Sequence, residues 1–263
     1  EGAMPIYRPT HVEYAIVNGR VSIVGDDGAL IPAYWSHPDV GGAFPAVCLV
    51  HDWSGVGSTE RRMAHLLAQL GYYVLIPDLF HGATASSPAE AMALVRQYGD
   101  HAYAAIDRAL RVLEDHNRTN SCVGVVGFGM GGSLAYEAAI VRPELEAAVA
   151  FYGLPHRYFG KFNQAHAPIL AFYGEREPIV KPEEIERVRQ ELIESPLPHE
   201  VRVLRGAARD LFSEGAHTSD SSPGAIAWEH MLAFLDRFVR MGAVSTADAN
   251  PRRTRKRRQP RTP

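Results

Sequence analysis

Four short segments hold residues that could do chemistry, and each directly follows an apolar run. The first is His51-Asp52-Trp53-Ser54-Gly55, after Ala46 to Val50. The second, Gly127-Phe128-Gly129-Met130-Gly131-Gly132, lies between the run Cys122 to Val126 and a helical pattern reaching Val141. The third is Tyr173-Gly174-Glu175-Arg176-Glu177-Pro178, and the fourth is Gly206-Ala207-Ala208-Arg209. In an open parallel sheet, ligands bind at the carboxyl ends of the strands, so all four would meet at one edge.

The second segment has the shape of a nucleophile elbow, in which a strand turns sharply into a helix and the central residue takes a positive φ. Strand and helix nearly touch there, and Gly127, Gly131 and Gly132 are the small residues such contact needs. The Met130 amide would then face a developing oxyanion. The competing reading is a dinucleotide-binding glycine loop. Gly127-x-Gly129-x-Gly131 lacks the G-x-G-x-x-G spacing, follows a late strand, and is not succeeded by a strand ending in an acid.

The elements that must position these segments alternate in type. Runs at Arg20 to Val24, Leu30 to Trp35, Ala46 to Val50, Tyr73 to Ile76, Cys122 to Val126, Ala147 to Tyr152, Ile169 to Tyr173 and Val201 to Leu204 read as strands. Asp26-Asp27-Gly28 suits a hairpin turn, so the sheet is expected to begin antiparallel and continue parallel. Several runs are apolar throughout, as in strands covered on both faces. Between them, Met63, Leu66, Leu67 and Leu70 follow a helical period that Gly71 ends. Ile106, Leu110 and Leu113 form a second stripe, and Ile185, Val188 and Leu192 a third, after Pro182. Trp228, Met231, Leu232 and Leu235 form the last. These stripes are core faces. The fold class is α/β, mostly parallel, with helices on both faces.

The 263 residues show no repeat or Gly/Ser linker, so a single domain over residues 4–242 is expected. Glu1-Gly2-Ala3 reads as an added remnant, and residues 243–263 as a basic tail. Seven Lys/Arg fall in the last thirteen positions, so the body is more acidic than the net −3 suggests. An acidic body with a basic tail does not fit a nucleic-acid-binding domain, although the tail from Arg252 to Arg258 could meet a polyanion or act as a targeting signal. No apolar run reaches membrane-spanning length and no secretory leader is seen. Cys48 and Cys122 sit in core-like runs, which suits buried thiols in a reducing cytoplasm. The sequence leaves the oligomeric state open.

From about Val21 to Phe238 the chain resembles the dienelactone hydrolase family. The matching stretches are Phe44-Pro45-Ala46-Val47 leading to His51-x-x-x-Gly55, and Gly71 to Leu79. The elbow, Tyr152-Gly153, Tyr173-Gly174, and Trp228 with Leu232-Ala233-Phe234 complete the set. The resemblance implies an eight-stranded α/β-hydrolase sheet, no cofactor, and hydrolysis of small esters or lactones by a Cys-His-Asp triad. The family's elbow, G-x-C-x-G-G, puts the nucleophile at Gly129; the acid falls on Glu177, and the histidine on Arg209. Glycine carries no nucleophile, and arginine cannot accept a proton at any accessible pH. Glycine at that corner removes backbone strain, and Arg209 beside Glu177 is expected to form a salt bridge in place of the His–carboxylate contact.

The binding half of the site is expected to survive, because the backbone amides of Trp53 and Met130 map onto the oxyanion hole. Asp52 replaces an acid of the family's loop and reads equally as a solvated loop acid. Ser54, Ser133, His81 and His217 are weighed as rescuing nucleophiles or bases, although lone histidines are more often ordinary residues. His51, Asp52 and His81 lack metal-ligand spacing. The arginines that some relatives use for a substrate carboxylate are absent, with Gly82 and Ser213 at the nearest positions, which disfavours dienelactone itself. Two functions follow as expectations. One is a catalytically impaired member that binds a small carbonyl or anionic ligand in the old cleft. The other is a hydrolase with a non-standard nucleophile. Under the first, Gly129→Cys with Arg209→His is expected to restore turnover if the oxyanion hole is intact.

Overall fold

A computed structural model describes residues 14–25, 28–209, 211–212 and 222–240. The expectations for Glu1–Ala3, Asp26, Asp27, Ser213, His217 and the tail at 243–263 lie outside these residues. All eight apolar runs are strands: β1 (Ile16–Val24), β2 (Leu30–Pro38), β3 (Phe44–Val50), β4 (Tyr73–Pro77), β5 (Thr119–Phe128), β6 (Ala147–Phe151), β7 (Ile169–Gly174) and β8 (Glu200–Leu204). They form one sheet in the order β1-β2-β4-β3-β5-β6-β7-β8. β1 and β2 pair antiparallel, as do β2 and β4, and every later pairing is parallel.

The helices are α1 (Ser58–Gln69), α2 (Pro88–Asp115), α3 (Met130–Val141), α4 (Pro182–Ile193) and α5 (Pro223–Leu235), the last running into a π-helical turn at Asp236–Arg240. Strand alternation sends β3 residues to both faces. Ala46, Cys48 and Val50 join the α2, α3 and α4 side, while Val47 and Leu49 join the α1 and α5 side. Ile106, Leu110 and Leu113 of α2 and Ile185, Val188 and Leu192 of α4 bury the expected stripes. In α5 the stripe is Trp228, Met231, Phe234 and Leu235, with Leu232 only partly buried. The first half of α2 carries an apolar stripe as well, with Ala91 buried and Leu94, Val95 and Tyr98 packed on the core, while Met92 faces outward. Ser87 starts the helix by accepting a bond from Glu90 N–H at 3.3 Å, with Pro88 at its first position.

One loop contact makes the sheet sensitive to acid. The Ile169 N–H, at the start of β7, donates to His199 Nδ1 at 3.0 Å, and burial pushes the imidazole from 6.5 down to about 4. The fold favours the neutral ring, so this contribution is whole above pH 6.5 and is lost as pH falls from 6.5 through about 4. The melting temperature is expected to drop across that window. His199→Asn, which keeps an acceptor without the basic nitrogen, should flatten the drop; identical slopes in both proteins would refute this role.

Candidate active-site cleft

The elbow sits where β5 meets α3. A Cβ on Gly127 would overlap the Gly131 carbonyl, so strand and helix approach too closely for any side chain there. Gly129 takes φ 50° and ψ −106°, and its amide donates to Phe151 O at 2.9 Å. This positive φ is the geometry expected of the corner position. It presents Gly129 at the carboxyl edge of the sheet, beside the loop that follows β3.

That loop is ordered from within. Leu79 N–H donates to His51 Nε2 at 3.0 Å, which leaves the proton on Nδ1 to bond the Asp52 carbonyl at 2.7 Å. Both ring nitrogens are thereby committed, and burial lowers the ring's pKa, so His51 is a neutral structural staple. Ser133 is also spent: its hydroxyl donates to Gly129 O at 3.1 Å and accepts from Leu154 N–H at 2.8 Å.

Asp52 departs most from expectation. Its Oδ1 accepts the Trp53 amide at 2.7 Å and the Met130 amide at 2.9 Å. The two amides assigned to an oxyanion hole do converge on one point, and the chain's own carboxylate occupies it. A Cβ built on Gly129 would collide with both oxygens of that carboxylate. Asp52 is therefore no solvated loop acid. Burial raises its pKa, while the two amide bonds and the positive charge of Arg209 pull it back down. Glu60, in the first turn of α1, has its carboxyl raised mainly by burial, with the nearby Asp52 charge adding to the rise. It accepts the Gly57 amide at 2.8 Å in a capping role.

Arg209 and Glu177 meet as their loops suggested, with Nη1 donating to Oε1 at 2.9 Å. The Glu177 side chain is 2% exposed and that of Arg209 20%. Oε1 also accepts the Ile179 amide at 3.1 Å. The guanidinium lies over the Tyr152 ring, 4.8 Å from its centre. Tyr152 itself holds φ 43°, a costly conformation for a bulky residue, at the end of β6. The sequence marked Tyr152 only as a strand end. His81 lines a different cleft, one whose walls include none of Asp52, Gly129, Glu177 or Arg209. Among the described residues no group of three or more His, Cys, Asp or Glu could hold a metal ion, and no helix is long and apolar enough to cross a membrane.

Comparison with known proteins agrees with this architecture. The carboxymethylenebutenolidase of Rhodococcus opacus is 28% identical over 220 residues, spanning 78% of this chain and 85% of that one. A putative carboxymethylenebutenolidase of Aquifex aeolicus is 25% identical over 224 residues, 81% and 96% of the two chains. The crystal structure of a putative dienelactone hydrolase from Klebsiella pneumoniae superposes with a TM-score of 0.76 at 25% identity, covering 85% of this chain and all of that one. The model of the dienelactone hydrolase family matches residues 31–239, from β2 to the last helical turn. A match of that extent, on an eight-stranded sheet with the elbow in place, makes this chain a member of the dienelactone hydrolase family.

Proposed function

We propose that this family member is a pseudoenzyme that holds a small carboxylate- or carbonyl-bearing ligand above Gly129. The observation carrying this reading is the Asp52 carboxylate, bonded to both amides at the point where a reacting carbonyl oxygen would lie. The position that the family resemblance gives to the nucleophile has no side chain, and the position it gives to the histidine bears a permanent cation. Two convergent amides and a nearby guanidinium favour an anionic oxygen whether it belongs to Asp52 or to a ligand. A ligand oxygen must therefore displace Asp52. The buried thiols of Cys48 and Cys122, neither of them in a disulfide, fit a cytoplasmic setting.

Hydrolysis by a non-standard nucleophile is the second reading, and Asp52 is its best candidate. Its Oδ2 lies where a side chain on Gly129 would project. One pair of measurements separates the two. Calorimetric titration with propionate is expected to show binding about tenfold tighter in Asp52→Ala, which lacks the internal competitor. A chromogenic short-chain ester should show no turnover by wild type. Turnover at enzyme-like rates, lost in Asp52→Asn, would establish the second reading, and failure of Asp52→Ala to bind propionate would reject the first.

A further inference from the structure

A second cleft opens on the other side of the loop that follows β4, against the β1–β2 hairpin. Residues directly opposed on antiparallel strands share a face, so Arg20 opposite Tyr34 and Ser22 opposite Pro32 lie on one side of the hairpin. That side looks toward α1, because the Tyr34 hydroxyl is 2.6 Å from His65 Nε2. The other side supplies Ile23, Ile31 and Ala33 to the core. The cleft between hairpin, α1 and loop encloses about 610 Å³, within the ~300–1,000 Å³ range of small-molecule sites.

Its chemistry is cationic. Arg20 and Arg61 both line it, and neither meets a carboxylate among the described residues. Arg61 is held in place by donating from Nη2 to Val56 O at 3.1 Å. Asp78 is the one acid among the lining residues, and its two oxygens are taken up by the Phe80 amide at 3.1 Å and the Gly82 amide at 2.8 Å. Those bonds fold a turn in which His81 takes φ 53° and Gly82 φ 92°. Left-handed backbone at a non-glycine residue costs free energy, and such strain gathers at ligand sites. Here it sets His81 in the cleft wall. Two guanidinium groups that line one cleft, with no carboxylate partner among the described residues, favour an anion between them.

We infer that this cleft binds a small organic anion, with a phosphate or carboxylate head group between Arg20 and Arg61 and an apolar body along Val56 and Pro32. The site is separate from the one above Gly129. The Ala85 amide donates to Ser54 O at 3.0 Å and ties together the loops after β3 and β4, and none of Asp52, Gly129, Glu177 or Arg209 lines this cleft.

The test is calorimetric titration of the full chain with phenyl phosphate and with benzoate, using phenol as the uncharged control. At least one anion is expected to bind saturably with one-to-one stoichiometry in this cleft, and phenol not to bind. The preferred anion identifies the head group. Arg20→Gln and Arg61→Gln should each weaken binding about tenfold, whereas Arg96→Gln, on the exposed face of α2, should leave it unchanged. If Arg61→Gln disturbs the loop, Arg20→Gln on its exposed strand carries the test. Absence of saturable binding by both anions would overturn the inference. So would binding that survives Arg20→Gln but is lost in Arg209→Gln, and that outcome would credit the Gly129 cleft instead.

Discussion

The triple variant Asp52→Ala/Gly129→Cys/Arg209→His is expected to hydrolyse a chromogenic short-chain ester at least about a hundredfold faster than Gly129→Cys/Arg209→His. The double variant alone supplies a thiol and an imidazole, and by family resemblance that would be enough. The geometry says otherwise. A Cβ at position 129 lands on the Asp52 carboxylate, so that carboxylate and a cysteine cannot both keep their places. Asp52 also holds both amides that would stabilise a tetrahedral intermediate, and one lost oxyanion donor typically costs about a hundredfold or more. A negative charge beside the new thiol would further oppose its ionisation. Replacing Asp52 by alanine removes collision, competitor and charge together. Glu177 then remains to orient the new histidine, and its longer side chain offsets part of the reach lost from arginine. The measurement is kcat/KM on p-nitrophenyl acetate for both variants. A folded triple variant no faster than the double would show that Asp52 is not what closes the site.

Truncating Arg209 is the second large effect. Arg209→Ala leaves the Glu177 carboxylate buried without its cation, a change that costs about 3–5 kcal/mol for buried pairs. The lower end is expected here, because the Arg209 side chain keeps 20% exposure and water can partly replace it. Glu177 retains one amide bond, and its buried Oε2 has no hydrogen-bond partner among the described residues. The guanidinium over Tyr152 adds a contact that is lost as well. In urea unfolding, a loss of about 3 kcal/mol lowers the midpoint by roughly 1–3 M for typical slopes. Adding Glu177→Gln should return part of the loss, since it removes the stranded charge. A cost below about 1 kcal/mol, the range of exposed pairs, would mean that the bridge is solvated and the cleft is not organised around it.

The two predictions share a lesson about which residues a sequence can place. The eight strands were legible because each run is locally apolar and bounded by turn residues. Gly129 at the corner was legible for a similar reason: a strand, three small flanking residues and a helix are all contiguous in the chain. Arg209 and Glu177 could be paired from the strand order that the family resemblance implies. In α2 the stripe of Ile106, Leu110 and Leu113 was read, and the tertiary packing extends it toward the helix start through Ala91, Leu94, Val95 and Tyr98. Asp52 lay beyond the reach of pattern altogether. Its carboxylate is fixed by an amide one residue away and another 78 residues away, and the second comes near only once β3 and β5 pair. His81 is a similar case, set in the wall of the second cleft by a left-handed turn in which the Phe80 and Gly82 amides donate to Asp78. Local periodicity determined which elements form and which chemical groups are missing. Only the tertiary structure decided what fills the vacated space, because a buried carboxylate goes where convergent amides compensate its desolvation, and that convergence belongs to segments distant in the chain.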